Sequence, residues 1–149
     1  MIADALAAYA HFISIFLAVS CLTAELILYR PAMPGAIVRL LRRIDAGYGM
    51  AAMLIVVTGL LRLFEVGKGS EFYFQNGIFW LKMVLVATVA VLSALPTTHF
   101  LRLPHKASEM MVTVERDAYR RVRTTLWAEA ILFAAIPLAA TLMARGVGL

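Results

Sequence analysis

The chain has 149 residues, 62% of them hydrophobic and only 15% charged, and a mean hydropathy of +0.85. A soluble domain of this length needs a charged skin that this composition does not supply, so the soluble globular class is excluded. The net charge of +5 and pI near 9.8 do not point to nucleic acid, because the arginines flank apolar runs, where anionic lipid headgroups are the simpler partner.

The first apolar run spans about Ala5 to Tyr29. The N-terminus carries Asp4 and no lysine or arginine before Arg30, and the apolar run exceeds the usual length of a cleaved h-region, so it does not read as a signal peptide. It contains the single cysteine, Cys21; one cysteine makes neither an internal disulfide nor a cysteine-based zinc or iron–sulfur centre. The next segment holds Arg30, Arg39, Arg42 and Arg43 together with Pro31 and Pro34, and reads as a basic connection. A second run extends from about Tyr48 to Phe64. The connection after it balances Arg62 and Lys68 against Glu65 and Glu71, and its Phe72, Tyr73 and Phe74, with Trp80 just beyond, fit an interfacial aromatic belt.

The third run covers about Ile78 to Leu95, and Pro96 is expected to stop or redirect it. His99 and His105 then lie at the interface. The third connection is again basic, with Arg102, Lys106, Arg116, Arg120, Arg121 and Arg123. Ser108 reads as an N-cap, and Asp117 precedes Arg121 by four residues, so one long helix is predicted from about Ser108 to Met143. Its first half projects into the cytoplasm, and Pro137 is a site for a kink.

Each run approaches the roughly 20 residues that cross about 30 Å of hydrocarbon. Backbone groups in lipid must bond internally, and alternating β-barrel patterning is absent, so the fold class is an all-α integral membrane four-helix bundle forming a single transmembrane domain. The charge of the connections places loops one and three in the cytoplasm and both termini, with loop two, on the opposite side of the membrane. Small residues at spacings of four, such as Ala130 and Ala134, and Gly47, Ala51 and Ala52 on the second helix, suit close helix contacts.

The informative residues are those that lipid rejects: His11, Glu25, Lys82 and Glu129. An ionisable group at the bilayer centre costs about 3 kcal/mol or more, so such groups face the bundle interior and find partners. At 1.5 Å rise per residue, His11 and Lys82 each lie roughly 6–9 Å inside the outer ends of their helices and share a layer. His11 and Glu25 are 14 residues apart, which returns to within roughly 40° of the same face. Helix one then has an interior stripe of His11, Ile15, Ala18, Leu22 and Glu25. Imidazole ligates heme iron and relays protons; the alternative for His11 is a hydrogen bond to a neighbouring helix. Lys82 either snorkels to the interface or serves as a ligand. Glu25 and Glu129 form a proton site or, as the simpler expectation, pair with the arginines nearby, Arg43 and Arg123, with Asp45 as a further neighbour.

The stretches "AELILYRP", "DAGYGMAAMLIVVTGLLRLFEVGKGSEFYFQNGIFWLK" and "LSALPTTHFLRL" carry a pattern. Its most specific parts are Asp45-x-x-Tyr48-Gly49, Lys68-Gly69-x-x-Phe72-Tyr73-x-x-Asn76, Lys82 and Pro96-Thr97. Over most of its length the chain resembles a bacterial four-helix membrane family catalogued as a domain of unknown function, with Leu103 standing where members usually carry tryptophan. A more distant similarity is to the HemJ-type protoporphyrinogen IX oxidase, which has a histidine early in helix one and a lysine early in a later helix, both associated with heme b. His11 and Lys82 match these in type, order and depth. The resemblance implies heme b as cofactor, held by His11 as axial ligand to the iron and Lys82 as second ligand or propionate partner. Arg62, near the outer end of helix two, is then placed to neutralise a propionate. A quinone or a porphyrin would be the redox partner. The other reading is non-enzymatic: an accessory or assembly subunit that packs into a larger membrane complex or a homo-oligomer. The residues themselves specify no reaction.

Overall fold

The structure is a computed structural model that describes residues 2–62, 76–104 and 110–145. Four helices dominate: α1 (Ile2–Leu28), α2 (Gly35–Leu61), α3 (Gly77–Arg102) and α4 (Arg116–Ala144). Each is long and apolar enough to cross a membrane. They pack as a ring in which α1 lies along α2 and α3 along α4, while smaller contacts join α1 to α4 and α2 to α3. The fold is an all-α up-and-down bundle made of two helical hairpins.

Two short strands join the hairpins at one end. β1 (Ala32–Pro34) pairs antiparallel with β2 (Met111–Thr113), with Met33 opposite Val112. Both central side chains are buried under the ribbon. Backbone bonds from Gly35 N–H to Met110 O (3.0 Å) and from Val114 N–H to Pro31 O (2.8 Å) extend the pairing. The ribbon therefore fixes the two connections to each other at the end of the bundle where the arginines of the neighbouring helix turns lie.

The bundle is apolar on its outside as well as inside. Phe16, Met53, Val91 and Ile131 are each about two-thirds exposed or more, at 69%, 70%, 75% and 67%. A soluble protein avoids such a continuous apolar exterior, whereas lipid favours it. Inside, small residues bring α1 against α2. Ala18 and Ala51 are fully buried, and a β-carbon added at Gly47 would stand 3.5 Å from Cys21 Sγ. The stripe expected on helix one is realised: Ala18, Leu22 and Glu25 are buried, and His11 and Ile15 are partly covered.

Three element boundaries differ from the sequence reading. Helix two starts at Gly35 rather than near Tyr48, adding thirteen residues that were read as a basic loop. Pro34 is extended and precedes the first turn, where a missing N–H costs nothing. Beyond it Val38, Leu41, Asp45 and Tyr48 are buried at spacings of three and four, while Leu40, Arg43 and Ala46 face out. Arginine is a good helix former, so the charges mark the end of the apolar layer and not the end of the helix.

Helix three continues through Pro96 to Arg102. Proline deletes one helical bond, but neighbouring helices and hydroxyl side chains support such a site in a membrane bundle. Here the Pro96 ring is fully buried in the bundle. Helix four begins at Arg116, not near Ser108, because Met111–Thr113 is spent on the ribbon. The β-branched Val112, Thr113 and Val114 favour extended backbone there. Ser108, His105 and Lys106 lie outside the described residues, as do Phe64 and the second connection with Glu65, Lys68, Glu71 and the Phe72–Phe74 cluster.

Candidate functional site

Two polar sites interrupt the apolar interior. The first lies toward the end that carries the termini. His11, partly buried on α1, faces Thr58 on α2, with Nδ1 2.8 Å from Thr58 Oγ1. The Thr58 hydroxyl donates along its own helix to Leu54 O at 2.6 Å. Its oxygen is then left to accept, so Nδ1 carries the imidazole hydrogen and Nε2 keeps its lone pair. Gly59 makes room for this arrangement, because a β-carbon there would stand 3.5 Å from His11 Cε1.

Arg62 and Lys82 complete this neighbourhood. Both cations act electrostatically on His11, and Arg62 acts on Lys82. Lys82 sits on the second turn of α3, whose start is capped by Asn76: its Oδ1 accepts from Ile78 N–H at 2.8 Å. Phe79 is buried in the same turn and Trp80 is half exposed beside it, which fits an interfacial level. The structure thus brings His11, Arg62 and Lys82 from three helices into one region. Among the described residues, no group of three histidine, cysteine, aspartate or glutamate side chains is arranged to hold a metal ion.

The second site lies nearer the arginine-rich end. Glu25, Asp45 and Glu129, from α1, α2 and α4, are 1%, 7% and 1% exposed. Glu25 lies within electrostatic reach of both Asp45 and Glu129. Tyr48 donates its hydroxyl to Glu129 Oε2 at 3.3 Å, across the bundle from α2 to α4. Thr97 on α3 donates to Asp45 Oδ1 at 2.8 Å. One oxygen each of Glu25 and Glu129, Oε1 in both, has no hydrogen-bond partner among the described residues.

The expected pairing of these glutamates with arginines is not realised among the described residues. Arg123 donates Nη1 to the Leu26 carbonyl at 3.1 Å and lies over the Tyr119 ring, 6.0 Å from its centroid. Arg43 is exposed. The helical turn that buries Glu25 carries its neighbour Leu26 round to the groove where Arg123 sits, so the cation meets backbone and not carboxylate.

Sequence reasoning placed Asp45 beside the two glutamates but missed Tyr48 and Thr97. All three belong to the motifs Asp45-x-x-Tyr48-Gly49 and Pro96-Thr97, which carry the family resemblance. The structure gives each of them a partner in the carboxylate cluster or makes it a member. The available signal was the spacing: Leu41, Asp45 and Tyr48 lie on one helical face, which is legible once helix two is extended to Gly35.

His99 is also more than interfacial. Its Nε2 lies 2.9 Å from the hydroxyl of the fully buried Tyr29, and the two rings pack edge to face at 5.6 Å. Phe100 and Tyr119 close the other sides of Tyr29, with centroids at 5.4 and 5.3 Å.

No curated protein and no solved structure matches the chain. A family model does, over residues 3–148, and it is described as "Predicted membrane protein (DUF2214)". The match extends over all four spanning helices and both polar sites, and the chain belongs to that family of predicted membrane proteins.

Proposed function

We propose that the protein is a bacterial inner-membrane redox protein that holds heme b near the end of the bundle carrying its termini. In this reading the termini face the periplasm and the arginine-rich connections face the cytoplasm. The observation that carries it is the His11–Thr58 bond of 2.8 Å. Metal-bound histidines characteristically donate their second ring nitrogen to an oriented acceptor, which fixes the tautomer and leaves the ligating nitrogen bare. Thr58 supplies that acceptor, and the Nε2 lone pair fits an iron ligand. Arg62 and Lys82 would neutralise the propionates, and Lys82 is also the residue from which a second axial ligand would come. The donor set therefore fits the group. Heme supplies one-electron chemistry when bound; the chain supplies orientation, charge neutralisation and an interior that excludes water. A porphyrin-type reductant and a membrane quinone are the partners this reading calls for.

The test is optical. The protein purified in mild detergent should show a Soret band equivalent to about one heme per chain, reversible on dithionite reduction. His11→Ala should abolish it. A colourless protein after expression with hemin, or full heme occupancy in His11→Ala, ends the ligand assignment.

A second reading rests on the other site. Three buried carboxyl groups from three helices, with two oxygens unpartnered among the described residues, suit a place where protons are held within the membrane. Proton flux through liposomes containing the protein should then fall when Glu25 and Glu129 are both replaced by glutamine; unchanged flux removes this role.

A further inference from the structure

A groove runs along the bundle surface between α1 and α4, and its chemistry changes along its length. Toward the arginine-rich end it opens to a space of about 570 Å³ bordered by Arg30, Arg123, Tyr119 and Trp127. Deeper, a narrower space of about 160 Å³ continues it, lined by Ile15, Leu22, Phe133 and Pro137. Thr23 and Leu26 border both, so the two form one channel that is cationic and aromatic at one end and hydrocarbon at the other. From Leu26 to Ile15 the helix rises roughly 16 Å, about the hydrocarbon depth of one leaflet.

We infer that this groove binds an anionic glycerophospholipid of the adjacent leaflet, with its phosphoryl group on Arg30 and Arg123 and one acyl chain along α1 and α4. Three features select this occupant. Arg123 is held in place by the Leu26 carbonyl and the Tyr119 ring, which leaves other guanidinium N–H groups to meet an anion. Arg30 is exposed, and among the described residues it makes a single long contact, of 3.5 Å to Ile27 O. Neither arginine has a carboxylate partner among the described residues, because Glu25 and Glu129 turn into the bundle and are 1% exposed. The charge at the groove mouth is thus uncompensated where a lipid phosphate would lie. Trp127, 52% exposed on the rim, is the residue type that sits at headgroup level. Basic pockets between membrane helices at a cytoplasmic surface take anionic headgroups by this combination.

The experiment uses the full chain, delipidated in detergent and titrated with dioleoyl phosphatidylglycerol, dioleoyl phosphatidylcholine or inorganic phosphate. Bound lipid is read by native mass spectrometry and thermal protection by intrinsic fluorescence. Phosphatidylglycerol should be retained and protect, and phosphatidylcholine should do so far less. Arg30→Gln combined with Arg123→Gln should weaken phosphatidylglycerol retention roughly tenfold or more, on the usual contribution of two arginines near a membrane surface. Arg121→Gln, the same charge change at an exposed position outside the groove, should not. Phe133→Trp, which fills the narrow part, should weaken retention without removing charge. Equal retention of the two lipids, equal losses in the Arg121 and groove variants, or full protection by inorganic phosphate alone would each overturn the assignment.

Discussion

The Tyr29 hydroxyl and His99 Nε2, 2.9 Å apart, tie the end of α1 to the last turns of α3 across a diagonal of the ring. The helices on this diagonal do not pack directly, so a long side chain spans the gap. Tyr29→Phe keeps the ring packing against Phe100 and Tyr119 but leaves His99 without its partner. The expected loss is about 0.5–1.5 kcal/mol, the net worth of one hydrogen bond, since His99 is only partly buried. Unfolding in detergent measures it, and no change in stability would mean that water replaces the hydroxyl without cost.

The same residue gives a pH dependence. Burial, with Tyr119 beside it, holds the Tyr29 phenol above its ordinary value. The folded state then keeps a proton that the unfolded chain loses above about pH 10, so stability falls as pH rises through that range. Tyr29→Phe should flatten the alkaline arm of the stability profile. An alkaline arm of equal slope in this variant would assign the effect to other groups.

Hydropathy alone made the four spans legible, because lipid imposes one requirement on every spanning segment. The 14-residue interval from His11 to Glu25 likewise placed both on the inner face of α1. The boundaries were harder, because charge and proline mark the edge of the apolar layer and helices ignore that edge. Arg39 and Arg42 sit inside a helix whose apolar run starts only after them, and Pro96 sits inside one whose apolar run ends before it. The ribbon was not legible, since pairing of Ala32–Pro34 with Met111–Thr113 depends on two connections about eighty residues apart. The carboxylate cluster was half visible: depth pointed to Glu25 and Glu129, but the choice of Asp45 and Tyr48 over arginine as neighbours depends on helix rotation.

Thr58 should matter to His11 beyond its own size. Thr58→Val is nearly isosteric and removes the acceptor for Nδ1–H. Under the proposed heme reading, removal of such a supporting partner weakens cofactor affinity about 10–100-fold. Hemin titration of the apoprotein reads this directly, with Thr58→Ser expected to restore binding. Identical hemin affinity in wild type and Thr58→Val would show that the ring needs no orienting partner.

Gly47 tests the close approach of α1 and α2. A β-carbon there meets Cys21 Sγ at 3.5 Å, an ordinary contact, so Gly47→Ala should be tolerated within about 1 kcal/mol. Gly47→Leu would drive a branched side chain into the α1–α2 contact at Cys21 and should cost about 1–3 kcal/mol, read as a lower melting temperature. Cys21→Ala should relieve part of that loss by vacating the opposing position. Failure of the second change to rescue the first would place the strain elsewhere.

The ribbon predicts a covalent link. Ala32 and Thr113 are register partners, so Ala32→Cys with Thr113→Cys, in a Cys21→Ser background, should form a disulfide on mild oxidation. The same single cysteines report orientation, because an impermeant maleimide should reach them from the cytoplasmic face and not from the periplasmic face. Labelling from the periplasmic side would invert the proposed topology while leaving the ribbon intact.

The pair Glu25 and Glu129 supports the sharpest stability prediction. A charged carboxylate in a low-dielectric interior needs a cation, and none pairs with either group among the described residues. Glutamine preserves shape and brings two N–H donors into a cluster that already has several acceptors. Glu25→Gln should therefore leave the melting temperature unchanged or raise it, and Glu129→Gln should behave similarly while keeping an oxygen for the Tyr48 hydroxyl. Glu25→Leu removes the polar group together with its desolvation cost and should also be tolerated. Glu25→Lys places a buried cation beside Asp45 and Glu129 and tests whether the site is acidic in effect: it should fold only if these two act as its counter-charges. Large destabilisation by both glutamine variants would mean that the ionised carboxylates are bound by a cation, and the proton-holding reading of this site would give way to one of cation binding.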